Sequence, residues 1–139
     1  RVNTQVPDAR FRRLRLYNVV MGILHLVQGA AILALSNDFG LPVTATFMKR
    51  PGAEPPSLDI LFDLRIGPAV AAFALLSALA HFVLASPFGF PWYRRSLQRF
   101  RNDARWVEYS ISASIMIVLI AMLTGISDIA ALVALFGVN

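Results

Sequence analysis

Apolar and polar positions fall in blocks along the chain. Three runs of about 20 mostly apolar residues are separated by arginine-rich or turn-rich stretches. A bilayer core about 30 Å thick takes roughly 20 residues at about 1.5 Å each, so each run predicts a spanning helix. The first covers residues 14–35, "LRLYNVVMGILHLVQGAAILAL", broken only by Arg15, Asn18, His25 and Gln28. The second covers residues 66–85, "IGPAVAAFALLSALAHFVLA", with Pro68 in the first turn, where its missing N–H does no harm. The third covers residues 105–123, "RWVEYSISASIMIVLIAML", and carries a glutamate, Glu108, inside the oil.

A fourth helix is expected from about residue 128, with Ser127 as its N-cap and Thr124 to Asp128 as a tight antiparallel connection. Its run ends at Asn139 after eleven residues, too few to span, so the chain is expected to be the N-terminal part of something longer. It also starts at Arg1 without a methionine, and no cleavable signal peptide is expected. Between the first two spans, "PVTATFM" and "LDILFDL" roughly alternate around the turn formers "KRPGAEPPS". That predicts a short β-hairpin over about residues 40–62, used for packing against the helices or a second subunit. No internal repeat stands out.

Composition turns these blocks into a membrane assignment. Of 139 residues 57% are hydrophobic and 15% charged, with a mean hydropathy of +0.61, too oily for a water-soluble domain of this size. The lack of cysteine excludes disulfides and thiolate metal sites, and two histidines make no histidine-rich metal centre. No phosphate-binding loop, catalytic carboxylate pair or serine elbow points to an enzyme. The net charge of +5 is not a nucleic-acid footprint, because the arginines flank the oily runs.

Charge also orients the chain. Residues 1–16 and residues 86–105 each carry five arginines against one aspartate, whereas residues 36–65 carry three cations against four carboxylates. The positive-inside rule makes the N-terminus and the second loop cytoplasmic and the hairpin external. Glu108 then lies about one turn inside the cytoplasmic leaflet, with His81 at similar depth and His25 nearer mid-membrane.

Polar residues in the spans fall on stripes. Glu108, Ser112 and Met116 recur every four residues with Arg105 one turn below, Ser77 and His81 are four apart, and Met21, His25, Gln28 and Ile32 share a side. Each stripe needs something other than lipid to face, as in the cavity of a helix bundle. Bland readings exist for every member. Glu108 would snorkel beside Arg105, the serines would bond their own helix, a histidine would be an interhelical partner, and Met116 would be filler. The matched depth of Glu108 and His81 favours a site.

The stretch from Arg105 to Asn139, with "YNVVMGILHLVQGAAILAL" and "LLSALAHFVLAS", closely resembles the heliorhodopsins, retinal-binding seven-helix proteins with a cytoplasmic N-terminus. The resemblance implies the N-terminal portion of a seven-transmembrane-helix, all-α bundle with an external hairpin after the first helix. It also implies a light-sensing, non-pumping photoreceptor that holds all-trans retinal, pairs as a homodimer and addresses a signalling partner. Glu108 would be the counterion of the protonated retinal Schiff base, and His25 and His81 would belong to the proton-accepting polar cluster. Ser77, Ser112, Met116 and Asn139 would approach the chromophore or its linkage. The lysine that links retinal in this family lies in the seventh helix. The only lysine here is Lys49 in the hairpin loop, so the attachment site is expected outside this chain.

Two other classes stay open: a light-driven proton pump or small proton-coupled transporter using Glu108, and a structural membrane subunit. Pumping rhodopsins carry a second carboxylate about three turns beyond the first, where this chain has Leu119.

Overall fold

The computed structural model describes residues 8–47 and 57–138. They form α1 (Asp8–Leu35), β1 (Gly40–Phe47), β2 (Ser57–Arg65), α2 (Ile66–Ala85), α3 (Gly89–Gln98), α4 (Asp103–Leu123) and α5 (Ile129–Val138). The helices α1, α2 and α4 are long and apolar enough to cross a membrane, and α5 is a shorter apolar helix. The Pro-Gly-rich turn of the hairpin, Lys49 and Asn139 lie outside the described residues.

Packing of α1 on α2 is close because two glycines face the partner helix. A Cβ on Gly22 would stand 2.8 Å from the Phe82 ring, and one on Gly29 would stand 2.7 Å from Leu75. Lipid tails are as apolar as leucine, so helices in a bilayer associate through such close backbone approach and interhelical hydrogen bonds. Asn18, Gly22, His25 and Gly29 make the α1 face toward α2. The stripe expected from Met21, Gln28 and Ile32 is therefore turned by about one residue, and Gln28 is exposed.

The stretch expected to be a plain cytoplasmic loop contains α3. Its buried Tyr93 and Ser96 are three apart, while Arg95 and Arg99 stay outside. An ion pair of 2.5 Å from Arg94 to Asp8 fastens α3 to the start of α1, which begins six residues earlier than its apolar run. Arg94 also lies over the buried Phe11 ring at 4.7 Å. Arg15 Nε donates to the Ala85 carbonyl at 2.7 Å, satisfying the last turn of α2. Asn102 caps α4 by accepting the Arg105 N–H.

β1 and β2 pair antiparallel from Gly40 opposite Arg65, with an irregularity between Val43 and Thr44. The hairpin therefore runs on to Arg65, three residues past its expected end, and feeds directly into α2. Burial does not alternate on β1: Val43, Thr44 and Ala45 are all buried, because this strand lies between β2 and the α4–α5 turn. Thr44 N–H donates to Ser127 O at 2.8 Å, and the two hydroxyls are 3.0 Å apart. Ser127 is thus not the N-cap of α5. That place belongs to Asp128, whose Oδ1 accepts the N–H groups of Ala130 and Ala131. Val43, Ala121, Met122 and Leu132 form the buried apolar cluster at this end, with Leu41, Leu64, Val118 and Ile129 against it.

Candidate functional site

At the other end of the bundle, α2 presents Ser77 and His81 one turn apart and bridges two helices. Ser77 Oγ donates to Glu108 Oε1 on α4 at 2.8 Å. Nδ1 of His81 lies 2.9 Å from Oδ1 of Asn18 on α1. The His25 and His81 rings stack with centroids 5.5 Å apart and planes 9° apart, which sets them at one level although sequence depth put His25 deeper. His25 Nδ1 is also 3.0 Å from Gln28 Oε1.

Glu108 is half-buried, and no ion pair among the described residues includes it. Arg105, its expected companion, lies over the Tyr109 ring at 4.8 Å. The ground for a snorkelling pair is therefore missing, and the carboxylate is held by Ser77. A cavity of about 410 Å³ brings together Glu108, His81, Asn18, Tyr93, Asn102 and Arg105. Its polar lining and size suit water-bridged hydrogen bonds between the carboxylate and the imidazole. A second cavity of about 260 Å³ between α2 and α4 is apolar, with Glu108 the one ionisable group among residues such as Leu76, Val83, Trp92 and Ile111.

The remaining expected residues divide. Ser112 is buried one turn above Glu108, whereas Met116 is 42% exposed, on a face that no described helix covers. Asn139 lies outside the described residues.

Two members of the site were not singled out from sequence. Asn18 is 3% exposed inside α1. Its signal was present, since it precedes His25 by two helical turns and so shares its face. Tyr93 comes from the unexpected α3. Burial pushes its phenol above the ordinary tyrosine range, and the polar influence of Asn18 partly offsets this.

No curated protein matches this sequence. The family model described as heliorhodopsin matches residues 14–139, which spans all four apolar runs, the hairpin and every candidate site residue. The chain belongs to the heliorhodopsin family.

Proposed function

We propose that this chain is the counterion-bearing part of a non-pumping retinal photoreceptor, with its N-terminus cytoplasmic. The observation that carries the reading is the one-sided placement of its polar groups. Glu108, Ser77, His81, Asn18 and His25 converge at one end of the spans. The opposite end is closed by the Val43, Ala121, Met122 and Leu132 cluster, beside buried Leu119.

The donor set suits a retinal linkage. Glu108 is a half-buried carboxylate without a cationic partner among the described residues, and such a group calls for a positive charge or a proton. Retinal, linked to a lysine outside this chain, supplies light absorption, isomerisation and a transferable proton. Glu108 holds the negative charge, and Ser77 keeps one of its oxygens fixed. His81 and His25 offer imidazole nitrogens for the proton. With no second carrier in the outer half of α4, that proton returns by the path it took, and the output is a change of shape. The exposed Leu58 and Ile60, on one face of β2, support a second copy as packing partner.

Illuminating vesicles that hold the complete, retinal-bearing protein tests the reading while external pH and membrane current are recorded. No sustained, uncoupler-sensitive pH change is expected. A sustained one would make the protein a pump.

A further inference from the structure

Asn18 is the one buried polar side chain on α1, and its two amide atoms are told apart by their partners. One lies 2.9 Å from the Leu14 carbonyl oxygen. A carbonyl only accepts, so that atom is the Nδ2 donor. The other is therefore Oδ1, and it faces Nδ1 of His81 at 2.9 Å. An amide oxygen has no proton to give, so the proton in this bond sits on Nδ1. A neutral imidazole carries one ring proton, which leaves Nε2 with a lone pair. Turning the amide over would set oxygen against oxygen at Leu14 and strip the histidine of its acceptor. His25 is not held in this way. Its partner Gln28 is exposed, and among the described residues no second hydrogen bond fixes which way that amide points.

We infer that Asn18 is a positioning residue that holds neutral His81 in the Nδ1–H tautomer, so that Nε2 is the ring atom that takes up a proton in the light reaction. The inference rests on the proposed part of His81 as a proton acceptor. The new N–H bond forms from the Nε2 lone pair, and the donor keeps the electron pair of the bond it loses. The Nδ1 proton stays where it was. The imidazolium charge is then shared with Nδ1–H, whose bond to Asn18 becomes charge-assisted and stronger. Asn18 thus acts twice, by selecting the free nitrogen beforehand and by stabilising the charge afterwards.

Solid-state NMR of the complete, retinal-bearing protein in lipid, labelled with 15N-histidine, reads the tautomer directly and without light. The sample is kept about two pH units above the ordinary imidazole value so that His81 is neutral. A protonated Nδ1 and a bare Nε2 are expected for His81, and the reverse pattern would overturn the inference whatever any variant does. Asn18→Ala should give a mixture of tautomers, and Asn18→Asp should keep Nδ1–H. An Asn18→Ala spectrum identical to wild type removes Asn18 from the role. Proton arrival scales with the competent fraction, so a fall to about half predicts a roughly twofold slowing of chromophore deprotonation after a flash. If the tautomer is as stated but His81→Phe leaves that step unchanged, the acceptor role fails and takes the Nε2 assignment with it. The hold of Asn18 on the ring would then survive, which separates the two failures.

Discussion

Among the described residues the side-chain partner of Glu108 is a serine, which donates to Oε1 at 2.8 Å. That fixes one carboxylate oxygen, and no ion pair among the described residues includes Glu108. In the complete pigment, Glu108→Gln should shift the absorption of the protonated chromophore to the red, because a counterion localises positive charge on the nitrogen in the ground state. The linkage should also lose its proton at a lower pH, followed by the same absorbance. An unchanged spectrum and titration would return Glu108 to the status of an interfacial side chain. At this scale the sequence was legible where spacing alone sets direction. Ser77 and His81, four apart, do lie on one side of α2, and Glu108 does face inward. Asn18 was passed over because a lone amide in a span looks like any other polar interruption until the histidine two turns on is seen to share its face.

At the scale of elements, α1 and α2 depend on surfaces that lack side chains. Gly22→Ala puts a methyl against the Phe82 ring, and overpacking of this kind costs about 1–3 kcal/mol. A lower melting midpoint by circular dichroism is expected, recovered at least in part by adding Phe82→Leu. Retention of the wild-type midpoint in the single variant would show that the ring swings aside freely. The helix α3 escaped the hydropathy pattern because it is short, basic and stops without a glycine. Phe100 takes the left-handed conformation there, with φ 56°, while Arg101 N–H and Phe100 N–H close the last turn on Ser96 and Leu97. Tyr93 gives this helix a pH dependence. Its folded-state value is raised by burial, so the docked form is favoured at any pH below the unfolded value of about 10. That stability is lost as pH rises through the higher folded value. Fluorescence of the neighbouring Trp92 should therefore change above about pH 10 in the wild type. In Tyr93→Phe the change should shrink, and an equal change in both would assign it elsewhere.

For the whole molecule, topology is the first thing to check, because the proposed depth and direction of the site hang on it. A cysteine at Asp59 in the hairpin should react with an impermeant reagent on intact cells, and one at Gln98 at the end of α3 should be protected; both positions are exposed. The reverse result would turn the molecule over. The order of spans and hairpin was readable because bilayer thickness and turn-forming residues are coarse constraints. Ser127 was read as a cap because only local chemistry was in view, whereas its partner Thr44 is 83 residues away. That long-range tie has a mechanical consequence. It pins the hairpin end of α4, a helix of 21 residues and so about 30 Å long, through the backbone, while the Glu108 end is tied to α2 and α3 through side chains, Ser77 to Glu108 and Ser96 to Asp103. A tilt of about 5° about the pinned turn carries the far end through roughly 3 Å and leaves the near end almost still. Spin labels on the complete pigment should therefore register a larger light-induced displacement at Gln98 than at Gly125, and equal displacements would discard the pivot. Ser127 would then be the fulcrum of a lever whose moving end is the arginine-bearing corner between α3 and α4.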